Sequence, residues 1–230
     1  MKKILFAFLI STITFYSCKK NETTTPTKIE EDKGCVERKN VLVTDHSGHS
    51  INNSNIPIIT GLFINNSIDN SKFRYYYYSA DSVQTYFPPY EKFDNKVIRV
   101  KEFTNGLEIF TGEILFSFKN NLFNLQNGNH TNGTTLNNTP NLTVGQIRTL
   151  FLGHIEQFDH NSNQYKDSCF SAEFGYFNLN SGTNNQTENL IKSWKITLRN
   201  RIYPSEYPIA YYQDSNGNLI YYSNGIQTFH

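Results

Sequence analysis

The chain predicts an α+β protein: antiparallel sheets with one packed helix per repeat, the unit occurring twice. Three observations predict it. The stretch LTVGQIRTLFLGHIEQF, from Leu142 to Phe158, carries apolar residues at helical spacing. Most other apolar segments alternate with polar residues, which is the pattern of strands buried on one side. And the strand-like segments of the first half recur in the second half at nearly constant offset. The competing architecture is a single β-barrel or sandwich with one helix, since about ten strands are enough to close around a ligand.

The N-terminus reads MKK, then ILFAFLISTITFYS, then Cys18-Lys19-Lys20. A positive start, an apolar run and small or polar residues before a cysteine have the shape of a secretory signal. The run is well short of the roughly 20 residues that a spanning helix needs. The Ser17-Cys18 junction resembles the lipobox of bacterial lipoproteins, although Phe15 and Tyr16 stand where Leu and a small residue are usual. The resemblance implies cleavage before Cys18, lipidation of its thiol and attachment to a membrane. Lys19, in place of the Asp that favours inner-membrane retention, points to the outer membrane of a cell envelope. An ordinary cleaved signal followed by an unmodified cysteine is the alternative. After Cys18, the polar stretch KKNETTTPTKIEEDKG lacks the apolar residues needed to order itself. Residues 1–17 are therefore read as a signal peptide and 18–34 as a lipidated cysteine with a flexible tether. Residues 35–130 form a first β-rich module, and 140–230 a second module of helix plus sheet.

In the first module, IPIITGLFINNSI, Ile56–Ile68, fits either a poor helix or a strand, because Pro57, Gly61 and several β-branched residues oppose helix. FRYYYYSADSV (from Phe73), VIRVKEF (from Val97) and EIFTGEILFSF (from Glu108) are strand candidates, the last leading through Lys119-Asn120-Asn121 into LFNLQNG. The polar stretch at 126–141 reads as a linker or a long hairpin loop. In the second module, Val144, Ile147, Leu150, Phe151, Ile155 and Phe158 form one helix face. Thr143 with Gln146 forms a capping box. Phe170, Ala172, Phe174 and Tyr176 alternate, as do Trp194, Ile196 and Leu198. YPIAYYQDSNGNLIYYSNG then reads as a hairpin turning at Asp214–Gly217. VIRVKEF and IKSWKIT lie 94 residues apart, and the Asn-Gly pairs at 127 and 224 lie 97 apart.

A helix on a four-stranded antiparallel sheet, duplicated in a lipidated envelope protein, is similar to PepSY-like and cystatin-like modules. The last hairpin carries the Asp-x-x-Gly turn followed by Leu-Ile-Tyr that such modules often show, here Asp214 to Tyr221. The resemblance implies a non-enzymatic module that binds or restrains another envelope protein, and it carries over no catalytic residue.

The full chain has a net charge of +1. Removing residues 1–17 takes away Lys2 and Lys3 and no acid, leaving 19 basic against 20 acidic residues and a net charge of −1. With no basic stripe, nucleic acid is not an expected partner. Cys35 and Cys169 remain after lipidation; in an oxidising envelope they either pair or stay as separate thiols. Asp45-His46-Ser47-Gly48-His49 holds zinc-ligand types, but Ser-Gly also suits a turn, and the turn is the preferred reading. His154, Glu156 and His160 belong to the helix and its end by the same argument. No Gly-x-Ser-x-Gly, His-Glu-x-x-His or phosphate-cradling loop occurs, so no catalytic residue, metal or cofactor is assigned. Aromatic residues remain. Strand alternation puts Tyr75 and Tyr77 on one face and Tyr76 and Tyr78 on the other. Ordinary sheet packing is the first reading of these pairs. A recognition face would use Tyr76, Tyr78, Tyr212 and Tyr222. The expected function is binding a protein or peptide at the envelope; the alternatives are a small-molecule carrier built as a barrel and an unrecognised envelope hydrolase.

Overall fold

The computed structural model describes residues 29–183, 187–199 and 207–225. In chain order they form β1 (Val36–Lys39), α1 (Asn55–Asn65), β2 (Phe73–Gln84), β3 (Lys92–Thr104), β4 (Leu107–Lys119), β5 (Leu122–Asn127), α2 (Val144–Asp159), a short 3-10 turn (Ser162–Tyr165), β6 (Phe170–Asn178), β7 (Leu190–Leu198), β8 (Ile209–Gln213) and β9 (Leu219–Ser223). The expected signal peptide, Cys18 and the first part of the expected tether lie outside the described residues.

The nine described strands make one open sheet, with the main path β2-β3-β4-β6-β7-β8-β9. The expected alternative of a barrel or sandwich is thereby corrected. β2 and β9 end the path without pairing, and two helices, not a second sheet, bury the apolar face. β2 to β5 form an antiparallel meander, as do β6 to β9. β4 joins them: its later part pairs β5 from Leu115 to Lys119, while Ile109 bridges to Tyr176 of the parallel β6. β1 adds in parallel to the first half of β6. Gly175 is required at this junction, because any Cβ there meets the Glu108 carbonyl at 2.5 Å and the Phe110 ring at 2.8 Å.

The segment at 56–68, open between helix and strand, folds as α1. Asn52 Oδ1 accepts the N–H groups of Ser54 and Asn55, both at 3.0 Å, satisfying donors that a helix start leaves over. Pro57 falls in the first turn, where it costs no helical hydrogen bond. Ile59, Leu62 and Phe63 then share one buried face against Phe73, Tyr75, Ile98 and Phe116, so packing overrides β-branched propensity. The longer α2 starts with the expected capping box: Thr143 Oγ1 accepts the Gln146 N–H at 3.2 Å, and Gln146 Oε1 accepts the Thr143 N–H at 3.0 Å. Ile147, Phe151 and Ile155 pack on Phe170, Phe174, Trp194 and Tyr212.

The tether is ordered further toward the N-terminus than its composition implies. Ile29 accepts from Gln146 Nε2 at 3.1 Å, Glu31 accepts from Thr143 Oγ1 at 2.8 Å, and Asp32 pairs with Arg148 at 2.6 Å. Arg148, 2% exposed, also lies over the Phe170 ring at 5.0 Å and donates to the Lys166 carbonyl. A buried guanidinium needs such a partner, which is why residues 29–34 dock on α2 despite their polarity. Cys35 and Cys169, just before β1 and β6, form a disulfide with Cα atoms 4.6 Å apart, closing a separation of 134 residues. A loop of that length is stabilised by about 4–5 kcal/mol in the chain-entropy account. The polar stretch at 126–141 is a strap across the junction: Glu102 accepts the Thr131 N–H at 2.9 Å, Tyr176 donates to the Leu136 carbonyl at 3.1 Å, and Lys192 donates to that of Thr139 at 2.8 Å.

Candidate binding groove

Both cores lie under helices, so each meander presents its other face outward. In β6, β7 and β8 the side chains of Glu173, Lys195 and Tyr211 alternate with buried Ala172, Phe174, Trp194, Ile196, Ala210 and Tyr212. In the first meander Arg74, Tyr76, Lys101 and Glu113 take the corresponding positions. These side chains line one cavity of about 380 Å³, together with Lys39, Val41, Asp45, Ser47, Glu108 and Phe110. Residues from both meanders thus share one groove, on the side away from both helices.

The groove is a set of matched charges between aromatic walls. Arg74 pairs with Glu108 at 2.7 Å, both largely shielded from water, Lys101 with Glu113 at 3.3 Å, and Lys39 with Glu173 at 3.2 Å. Lys101 Nζ also stands 5.4 Å above the centre of the Tyr76 ring, and Arg99 reaches Glu113 at 3.6 Å. Phe110 packs edge-on against Tyr211 at 5.4 Å. Burial works to raise the Glu113 carboxyl, but the Tyr76 hydroxyl, Lys101 and Arg99 outweigh it and hold it below its usual range. Burial first, and then Glu113, push the Tyr76 phenol well above its ordinary value. The Tyr76 hydroxyl and the Nε of Arg74 are buried yet make no hydrogen bond of good geometry, although Glu113 and Arg99 stand close enough to the phenol to shift its titration.

The tyrosine face expected from alternation needs correction. A bulge between Tyr75 and Tyr77 leaves Tyr76 as an extra residue, with Tyr77 opposite Arg99. An inserted residue reverses the alternation beyond it. Tyr75 and Tyr78 therefore both enter the core under α1, at 2% and 6% exposure, and Tyr76 and Tyr77 face outward. Tyr212 is fully buried under α2, its hydroxyl 3.1 Å from His154 Nδ1. Tyr222 packs on the same core and donates to Asp159. Of Tyr76, Tyr78, Tyr212 and Tyr222, only Tyr76 lines the groove. The neighbour that joins it is Tyr211, one position from the expected Tyr212.

The histidines near residue 46 are separated by the same bulge. His46 stacks on Tyr75 at 4.2 Å and accepts its N–H through Nδ1 at 3.1 Å, while His49 stacks on Tyr77 at 5.0 Å. Because those tyrosines face opposite ways, the two rings do not converge. Gly48, at φ +144°, allows this segment to lie against β2, where a Cβ meets the Tyr76 carbonyl at 1.9 Å. His154 donates from Nδ1 to the Leu150 carbonyl at 2.8 Å, and His160 ends α2 in the left-handed conformation. The groove charges were available to sequence reasoning as the polar residues alternating with each core position, Lys195 between Trp194 and Ile196 among them.

No protein-family model matches the chain, and no curated protein does. Among solved structures, an uncharacterized protein from Eubacterium rectale is similar at 8% identity and a TM-score of 0.34, over 77% of this chain. The match spans 58% of that protein's length.

Proposed function

We propose that this is a lipid-anchored envelope protein of two tandem helix-on-sheet modules, similar to PepSY-like and cystatin-like units, that binds a protein or peptide segment in the groove without catalysis. The carrying observation is the groove itself. Three of its carboxylates are neutralised by a cation at salt-bridge distance, and Tyr76, Phe110 and Tyr211 stand beside them. Fixed charges of both signs beside aromatic walls match a segment carrying both charges. Duplication is supported by element positions. β2 and β6 begin at residues 73 and 170, and β5 and β9 at 122 and 219, both 97 apart; β3 and β7 end at 104 and 198, and β4 and β8 at 119 and 213, both 94 apart. Each meander also follows one helix. The anchor rests on Cys18 and the polar stretch after it, outside the described residues.

The test uses the chain as bait for proteins of its native envelope. A single stoichiometric partner is expected, retained by wild type and lost with Tyr76→Ser combined with Lys101→Ala, at an unchanged melting temperature. A partner that binds the double variant equally well, or a small molecule retained in native mass spectrometry in place of a protein, refutes the reading.

A further inference from the structure

The hairpin joining β2 and β3 ends in Tyr86-Phe87-Pro88-Pro89-Tyr90. Among the described residues Tyr86 at 86% and Phe87 at 73% are the two most exposed large apolar side chains, and Tyr90 stands at 64%. Tyr86 and Phe87 pack edge-on at 4.9 Å. The loop is not slack. The Thr85 N–H donates to the Glu91 carbonyl at 3.0 Å, Thr85 Oγ1 donates to the Pro89 carbonyl at 2.7 Å, and the Glu91 N–H donates back to Thr85 Oγ1 at 2.9 Å. A tip braced at its base by these bonds and holding three aromatics outward presents an apolar surface fit for an apolar phase.

Strand directions say where the tip points. β4 and β6 run parallel at Ile109 and Tyr176. β8, antiparallel to β7, runs the same way as β6, so the turn after β8 lies at the end where β4 and β6 finish. β3, antiparallel to β4, begins at that end, with Asn95 opposite Lys119. The aromatic tip and the β8–β9 turn are therefore at the same end of the sheet. Ile29, the first described residue, also packs there: a Cβ on Gly217 of that turn meets its Cδ1 at 2.7 Å. β4 continues ten residues past its bridge to Tyr176, while β6 continues two. At about 3.3 Å per residue the hairpin overhangs the second meander by roughly 25 Å.

We infer that this tip is a second membrane contact, seating Tyr86, Phe87 and Tyr90 in the lipid interface on the side from which the chain is tethered. The inference rests on the anchor reading. Ten residues lie between Cys18 and Ile29, and the eleven steps of chain span at most about 36–40 Å. A lipid on Cys18 keeps Ile29 within that distance of the bilayer, and the overhang carries the tip across most of it. Phenol and phenyl rings suit the headgroup boundary, having an apolar body and, for tyrosine, a polar end. Around the base of the tip Lys92, Lys96 and Lys119 stand against Asp81, Glu91 and Asp94, with Lys119 3.5 Å from Glu91, so the charges balance and the contact does not depend on anionic lipid. With its tip and tether both on the membrane, the protein holds the groove at a fixed height above the surface.

Trp194 is the only tryptophan and is 1% exposed, so Phe87→Trp places a readable probe at the tip. The lipidated protein is reconstituted into phosphatidylcholine vesicles with and without brominated acyl chains. The expected result is blue-shifted tip emission that bromine quenches, with Trp194 of the wild-type chain unaffected. Changing Tyr86 and Tyr90 to Ser in that variant lowers the ratio of seated to unseated tip about a hundredfold, because each of the two rings removed from an apolar contact is worth about tenfold. Equal tip emission in both vesicle types overturns the inference, as does a tip shielded only when a protein partner is added. The anchor has its own readout. Flotation of a chain carrying Ser at 86, 87 and 90, compared with the same chain also carrying Cys18→Ser, reports on Cys18 alone. Quenching in a Cys18→Ser chain that keeps its tip supports the contact even where the anchor reading fails.

Discussion

Asp214 gives the sharpest test of how this chain holds together. It is fully buried, in the turn between β8 and β9. Its Oδ1 accepts from Trp194 Nε1 at 2.9 Å, from the Asn141 N–H at 2.9 Å and from the Leu142 N–H at 3.1 Å. Its Oδ2 also accepts from Asn141 at 2.9 Å and faces Lys192 Nζ at 3.3 Å. Asp214→Ala strands the indole N–H, two backbone N–H groups and a shielded ammonium. A buried donor left without a partner costs about 1–3 kcal/mol, and removing one side of a buried charge pair costs about 3–5 kcal/mol. Some of the stranded groups reach water, so the lower total, about 3–5 kcal/mol, is expected. For a chain of this size that lowers the melting temperature by roughly 6–20 °C. Asp214→Asn keeps a carbonyl oxygen at the Oδ1 position with its three bonds and loses at Oδ2 the contact with Lys192 and the second bond from Asn141, so it costs less, about 1–3 kcal/mol. Equilibrium urea unfolding followed by Trp194 fluorescence measures both, because the only tryptophan is one of the bonded groups. An alanine variant within about 1 kcal/mol of wild type, or an asparagine variant as damaged as the alanine one, refutes the hydrogen-bond accounting.

Two further perturbations separate the core from the groove and the pH-sensitive contact from the rest. Tyr78→Ala opens the core under α1 and costs about 3–4 kcal/mol, whereas Tyr76→Ser stays within about 0.5–1 kcal/mol; thermal melts decide, and equal losses contradict the bulge assignment. His46 has its pKa lowered from 6.5, by burial first and then by Arg74, and its Nδ1 accepts the Tyr75 N–H. Asp45, Arg74 and Tyr75 are the groups that face it. The folded chain therefore holds it neutral while the unfolded chain takes up the proton first. This contribution is full above about 6.5 and is lost as pH falls from there towards the lower folded value. Urea unfolding at pH 7.5 and 5.5 should show a larger loss for wild type than for His46→Gln, and equal losses contradict the assignment.

What the sequence made legible follows from which forces are local. The capping box of α2 depends on two side chains three residues apart, so Thr143 and Gln146 reveal it without any tertiary information. The faces of β6 and β7 are equally plain, since Ala172, Phe174, Trp194 and Ile196 alternate without interruption. The first half hides more. Nothing in Tyr75-Tyr76-Tyr77-Tyr78 marks an inserted residue, because four identical side chains carry no alternation to interrupt. The bulge is visible only in the register with β3, where Tyr75 meets Val100 and Tyr77 meets Arg99. Val97-Ile98-Arg99-Val100-Lys101 does contain part of the answer: Ile98 and Val100 are fully buried, and Arg99 and Lys101 must point the other way.

The docking of residues 29–34 was hidden for a different reason. Glu31 and Asp32 are ordinary solvated acids by composition. They become binding groups because α2, more than a hundred residues later, offers Thr143 and a buried Arg148. Arg148 looks like a surface residue in TVGQIRTLFLG, and it lies between apolar neighbours only because Phe170 and the disulfide close over that end of the helix. The groove follows the same logic at larger scale. Each strand's polar face is readable on its own, but Arg74 meets Glu108 only after β3 has turned back, and Lys39 meets Glu173 only after the chain has traced the first meander and α2 and entered β6. The tyrosines were the conspicuous residues of the sequence. The paired charges, spread from Lys39 to Lys195 and unremarkable one at a time, line the groove in which we propose that a partner binds.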